Sequence, residues 1–351
     1  MATPIEITAV LDRAAKEGAS DVVLSAGVPP VLYVDGRLHR LGDVPLAAED
    51  TQRMLYAILQ SDQVAIFERE RELDFSFTYN NELRFRGNAF WQRGTVGAAF
   101  RLVPNEIPDF ETLGLPHAVR SFADEQQGLV LCTGPTGSGK STTLASMIEH
   151  INQTRSAHII TVEDPIEFVH THKKAVIEQR EVGSDTKNFA IAVRHVLRQA
   201  PHIILVGEMR DLETIRAVLT AAETGHLVLA TLHTNDAPQS VDRIIDVFPP
   251  YQQTQVRIQL SMVLLGIVSQ RLLPTAKGDG RILACEVMRN VPGIANLIRE
   301  GKTAQIHGLI ETHARMGMHT MDAYVKQLYT KGLISEEVAR KMMKHPGRTF
   351  G

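Results

Sequence analysis

The chain has 351 residues, 44% hydrophobic and 22% charged, the balance of a soluble globular protein with room for two or three domains. Its net charge of −3 removes the nucleic-acid partner that a strongly basic chain would suggest. No apolar run approaches the roughly 18 residues of a membrane span, and MATPIEITAVLDRAAKEG lacks the basic start and apolar core of a signal peptide. Cys132 and Cys285 form no CxxC pair, so neither a disulfide framework nor a zinc site is expected. These features imply a cytoplasmic chain that reaches a membrane only by docking on a partner.

Ile7, Val10, Leu11 and Ala14 repeat at the spacing of one helix face, and Gly18 stops that helix. SDVVLSAG and PPVLYVDGRLHRL read as short strands, with Asp35-Gly36 as a tight turn. Residues 49–69 read as a helix ending in a charged, solvated face. The alternation in LDFSFTYNNELRFRGNAFWQRGTVGAAFRLVP places Phe75, Phe77 and Tyr79 on one side of an antiparallel meander that turns at Asn80-Asn81. Residues 1–103 therefore form a small α+β domain. A proline-rich linker follows over 104–115, before a domain spanning 116–351. There GLVLCT, HIITVE, HIILVG and HLVLATLHT alternate with helical stretches, which argues a parallel sheet with helices on both faces. Beyond about residue 236 the pattern is mostly helical, QTQVRIQLSMVLLGIVSQRLL included, with RILACEVM as an interrupting strand.

Cys132-Thr-Gly-Pro-Thr-Gly-Ser-Gly-Lys-Ser-Thr142 carries the chemistry. Gly134, Pro135, Thr136, Gly137, Ser138, Gly139, Lys140, Ser141 and Thr142 fit a phosphate-cradling loop between an apolar strand and a helix. The glycines let backbone N–H groups point at a β-phosphate, and the helix N-terminus adds positive potential. Lys140 would bridge β- and γ-phosphates and Ser141 would hold Mg²⁺. Three other apolar strands end in polar residues. Glu208 follows Ile203–Val206, and would sit by Mg²⁺ or the attacking water unless it is an ordinary surface acid. Glu163 and Asp164 follow Ile159–Val162, as water-polarising carboxylates or as a charged turn. His233 ends the fourth strand, either as a γ-phosphate sensor or as a hydrogen-bonded structural histidine.

Together these four segments resemble the Walker A, Asp box, Walker B and His box of the secretion ATPase superfamily, in which a glycine before the Walker B glutamate is usual. VGEMRDLETIRAVLTAAETGHLVLATLHT is similar to the pilus retraction branch. The resemblance spans nearly the whole chain. It implies an α/β fold: a RecA-like P-loop NTPase core, a PAS-like N-terminal domain and a helical C-terminal extension. It further implies a homo-hexameric motor that hydrolyses ATP with Mg²⁺ to retract type IV pili at the cytoplasmic face of the inner membrane. Its partners would be an inner-membrane platform protein, pilin indirectly, and a retraction-ATPase paralogue, with no nucleic acid. Arg86 and Arg101 would reach bound ATP, if they do not simply form strand-face salt bridges, with Arg194, Arg198 and Arg210 as weaker candidates. Assembly and type II secretion motors usually carry a further N-terminal domain and a four-cysteine zinc module, and SQRLLPTAKGDGRILACEVM holds one cysteine. The family's retraction signature, Ala-Ile-Arg-Asn-Leu-Ile-Arg-Glu, is matched by Gly293 to Glu300 with Ala295 in place of the first arginine. That departure leaves an accessory PilU-type role as the alternative, beside a short assembly or type II secretion ATPase.

Overall fold

The computed structural model describes residues 5–34, 36–80 and 83–344, so Asp35 and Asn81 of the two expected turns lie outside the described residues. The flanking Gly36 (φ 74°) and Asn80 (φ 52°) are both left-handed. The chain divides into two compact units. One holds residues up to Asn105 with Glu167–Val169, and the other holds Glu106–Ile166 and the chain from His170 onward.

The first unit is a six-stranded antiparallel sheet in the order β3-β2-β1-β6-β5-β4. Its strands are β1 (Asp21–Leu24), β2 (Val31–Val34), β3 (Arg37–Arg40), β4 (Glu72–Tyr79), β5 (Leu83–Gln92) and β6 (Thr95–Leu102). Helix α1 (Ile7–Lys16) buries the four apolar residues read from its period. Stretch 49–69 is two helices rather than one, α2 (Ala48–Tyr56) and α3 (Ser61–Glu70). The break has a local cause: Gln60 is extended, and its N–H donates to the Gln63 side chain at 3.0 Å, which starts a new helix. Phe67, Phe75, Phe85 and Phe100 form the centre of this unit's core, and the Phe77 and Phe85 rings stack at 5.3 Å.

In the second unit a seven-stranded sheet runs β13-β12-β7-β11-β10-β8-β9. Its strands are β7 (Gly128–Thr133), β8 (His158–Glu163), β9 (Val176–Glu181), β10 (Ile203–Val206), β11 (Leu227–Leu232), β12 (Leu264–Pro274) and β13 (Arg281–Arg289). All pairings are parallel except β12 with β13. Alternate strand residues divide between two cores. Leu129, Leu131, Ile204 and Val206 face one layer with α6 (Phe189–Val196), α7 (Leu212–Glu223), α8 (Ala237–Asp246) and α9 (Pro250–Val263). Val130, Cys132, Ile203 and Leu205 face the other, with α4 (His117–Ala123) and α5 (Lys140–Thr154). Helices thus cover both faces, as doubly covered parallel strands require. The expected linker contains Phe110, which is buried in this second core.

The long helical reading across 253–273 needs correction, because the helix stops at Val263 and β12 begins at Leu264. In LLGIVSQRLL apolar residues flank the polar triplet Ser269-Gln270-Arg271 on both sides without alternating, so periodicity does not separate a buried strand from a buried helix. Asn290 marks the junction, donating from Nδ2 to the carbonyls of Ser261 (2.9 Å) and Leu264 (2.8 Å). Among the described residues four α-helices follow β13: α10 (Pro292–Glu300), α11 (Ile306–Thr312), α12 (Met321–Thr330) and α13 (Glu336–Met342). No helix among the described residues is long and apolar enough to cross a membrane.

Candidate nucleotide site

The glycine-rich loop leaves β7 and enters α5 with three residues in conformations that favour glycine: Gly134 (φ 142°), Gly137 (φ 76°) and Gly139 (φ 90°). Gly134 is also sterically obliged, since a Cβ there would lie 2.4 Å from the Gln270 carbonyl oxygen and 2.6 Å from Ser138 Oγ. Lys140 is the first residue of α5 and is buried, its Nζ donating to the carbonyls of Gly134 (2.9 Å) and Pro135 (3.0 Å). The first turn of α5 carries no acidic side chain, so its N-terminal positive potential is uncancelled. Thr136 and Gly137 are exposed, Pro135, Gly139, Ser141 and Thr142 are partly exposed, and Ser138 is buried with no hydrogen-bond partner for its hydroxyl. A buried, unpaired hydroxyl inside a loop of inward N–H groups suits an anionic ligand.

Strand order assembles the remaining candidates. β7, β11, β10 and β8 are consecutive and parallel, so their C-terminal ends set the loop, His233, Glu208 and Glu163 side by side. Gly134 N–H donates to the Leu232 carbonyl at 3.3 Å, tying the loop to the residue before His233. Glu208 accepts from Arg210 Nη2 at 2.7 Å and lies 3.1 Å from His233 Nε2. Burial pushes the Glu208 carboxyl up, but the Arg210 hydrogen bond and the charges of His233 and Arg210 outweigh it and hold the group below its ordinary value. Glu208 is therefore ionised at neutral pH. Gly207 is explained by packing, because a Cβ there would press on the Val162 carbonyl oxygen (3.2 Å) and Glu163 Cα (3.3 Å). Glu163 accepts from Thr161 Oγ1 (2.7 Å) and Gln179 Nε2 (3.2 Å), while Asp164 is exposed.

Arg86 and Arg101 belong to the first unit, where they are direct cross-strand neighbours on β5 and β6. Like charges at opposed positions are unfavourable by roughly 0.2–1 kcal/mol. Here Asp21 accepts from Arg101 Nε at 2.8 Å, and Glu167 lies 3.7 Å from Arg86 Nη2. Arg194 pairs with Glu213, and Arg198 is exposed. Arg210, a weaker candidate on sequence, pairs with Glu208, and Gln270, which the sequence reading did not single out, accepts from the Cys132 thiol (3.1 Å) and donates to Thr143 (2.8 Å) behind the loop. The available signal was the polar triplet Ser269-Gln270-Arg271 within the otherwise apolar β12.

A family model described as "Type II/IV secretion system protein" matches residues 4–345. The chain is 49% identical over 342 residues to the type IV pilus retraction ATPase PilT of Pseudomonas aeruginosa, covering 97% of this chain and 99% of that protein. It is 41% identical to the type IV pilus ATPase PilU of the same organism, covering 95% of this chain and 88% of the relative. A crystal structure of the pilus retraction motor PilT with bound ADP superposes with a TM-score of 0.89 at 50% identity, covering 98% of each chain. The chain thus belongs to the type II/IV secretion system protein family, over nearly its full length.

Proposed function

We propose that the chain is the ATP-hydrolysing motor of type IV pilus retraction. The observation that carries this reading is the order of the phosphate loop, His233, Glu208 and Glu163 on adjacent strand ends, in a chain 49% identical to a retraction ATPase. We read the first unit as PAS-like and the second as a RecA-like P-loop core with a helical extension. The working form is a homo-hexamer docked through a platform protein at the cytoplasmic face of the inner membrane, acting on pilin indirectly.

In this mechanism the backbone of Gly134 to Thr142 binds the phosphates, and the Lys140 ammonium turns from its two loop carbonyls to the β- and γ-phosphoryl oxygens. Glu208, ionised and held by Arg210 and His233, orients the attacking water and takes its proton. Glu163 and Asp164 order water beside it, and His233 distinguishes a nucleoside triphosphate from a diphosphate by its contact with the γ-phosphate. The Ser141 hydroxyl and the Glu208 carboxylate are hard oxygen donors that fit hydrated Mg²⁺, which would neutralise charge on the phosphate oxygens. Arg86 and Arg101, direct cross-strand neighbours on β5 and β6, supply guanidinium charge to the transferring phosphoryl group.

Counting surface pili after Lys140→Ala in the native host tests the reading. Excess pili with lost surface motility is the expected result, whereas bald cells would mean that the loop powers assembly. Ala295 on α10, at the position of an arginine in the retraction signature, favours the accessory PilU-type role as the second reading. In that case Lys140→Ala should spare retraction while a principal ATPase is present.

A further inference from the structure

A second set of ionisable side chains lies in the same unit, three residues beyond His233. Asp236 caps α8, accepting from Gln239 N–H at 2.9 Å, and its other oxygen accepts from Lys344 Nζ at 2.6 Å. Glu286 on β13 is buried and accepts from Ala237 N–H at 2.9 Å, so it holds the same helix start from beneath. His307 on α11 stands between the two acids, with Nδ1 3.5 Å from Glu286 Oε2 and Nε2 3.8 Å from Asp236 Oδ2. Both carboxylates have side chains 7% exposed or less. Two buried acids flanking one imidazole, with a single ammonium beside them, balance electrically when the imidazole is protonated and leave an excess negative charge when it is not.

Resting on the function proposed above, we propose that Asp236, Glu286, His307 and Lys344 form an ionic clamp that positions His233 against Glu208. The turn from β11 to α8 is then pinned at both ends. His233 meets Glu208 at one end, and Asp236 and Ala237 meet the C-terminal helices and β13 at the other. Between them Asn235 accepts from Arg271 and Thr234 bonds to Ser240, so a shift of Asp236 is passed along a short, cross-braced segment. The residues are positioning residues, and none touches the nucleotide. They give the helices after β13 a direct hold on the turn that carries His233.

The surroundings set the sign of a pH effect. The Asp236 carboxylate beside it raises the His307 pKa above its ordinary 6.5, burial opposes it, and Glu286 adds to the rise. Lys344 opposes it, Asp242 on α8 is bonded to Thr303 just before α11, Asp322 on α12 accepts the Lys344 amide, and Glu311 lies one turn further along α11. A raised histidine pKa means that the imidazole is charged below about pH 6.5 and the clamp loosens as pH rises through the higher folded-state value, while on the acid side the clamp opens once the Glu286 carboxyl, raised by burial, takes a proton.

The test uses the full chain, with kcat and KM for ATP followed against pH. In wild type kcat should fall at the alkaline side of that titration. His307→Gln should remove the step and hold kcat about three- to tenfold below the acid plateau with KM within about twofold, whereas permanently charged His307→Lys should hold it near that plateau throughout that titration. Hydrogen exchange of the amides at 233–237 gives a readout independent of turnover, and His307→Gln and Lys344→Met should both accelerate it. A wild-type chain without ATPase activity would overturn the proposed function, while exchange would still decide the clamp. A His307→Gln pH profile superimposed on wild type, unchanged exchange, or a lowered Tm alone would overturn the clamp.

Discussion

Gly134 shows how far one residue can constrain the site. Its φ of 142° disfavours any side chain, and a Cβ would collide with the Gln270 carbonyl and Ser138. Gly134→Ala should force the loop away from β12 and weaken nucleotide binding by at least about tenfold, roughly 1.4 kcal/mol, as titration with a fluorescent nucleotide would measure. Glu149 makes a different prediction. Burial raises its carboxyl, but hydrogen bonds with His170, Lys173, Gln153 and Asn152 win and bring it from 4.5 down to about 2. A depressed carboxyl pKa stabilises the fold above about pH 4.5, and that contribution is lost as pH falls towards 2. Glu149→Gln should cost on the order of 2 kcal/mol at neutral pH and much less near pH 3, read from urea midpoints at the two conditions. The phosphate loop was legible because its chemistry demands glycines at fixed spacing. The Glu149 network was not, since two of its partners, His170 and Lys173, come from a loop more than twenty residues away while Asn152 and Gln153 lie on its own helix.

The elements differ in how openly the sequence declares them. The meander of β4, β5 and β6 alternates because one face is wet, and α1 repeats every three to four residues for the same reason. β12 is buried on both faces over most of its length, so alternation vanishes and its apolar segments, continuous with α9, imitate a helix. Gly266 was the overlooked mark of close packing. A Cβ there would lie 2.2 Å from the Phe122 ring and 2.6 Å from the Met288 carbonyl oxygen. Gly266→Ala should therefore destabilise the second unit by about 3 kcal/mol or more, measured by chemical denaturation, although alanine favours neither strand nor helix enough to explain such a loss. The edge strand β9 left no trace in the sequence reading, because VIEQRE breaks the usual alternation: apolar Val176 is exposed and charged Glu181 is buried.

At the scale of the whole chain, the length of 351 residues leaves room for two or three domains, and each of the two compact units carries its own sheet and core. Arg86 and Arg101 provide a test of the proposed motor at the scale of the whole molecule. If the first unit lends them to a nucleotide in the second, Arg86→Ala and Arg101→Ala should each lower kcat by at least about tenfold while ATP binding by the second unit persists. Equal kcat for both variants and wild type would leave these arginines as partners of Asp21 and Glu167 alone. With a net charge of −3, the turnover rate should also be indifferent to added DNA.

Both native thiols are sealed, with Cys132 1% and Cys285 0% exposed, and burial pushes the Cys132 thiol up to about 12. Burial raises the Cys285 thiol as well. Reagents that attack thiolates will pass over the folded chain. The protein thus arrives as its own cysteine-silent background: a single surface cysteine introduced into each unit would take a dye or spin label cleanly, and distances between them could be followed through a catalytic cycle without first rebuilding the loop strand or β13.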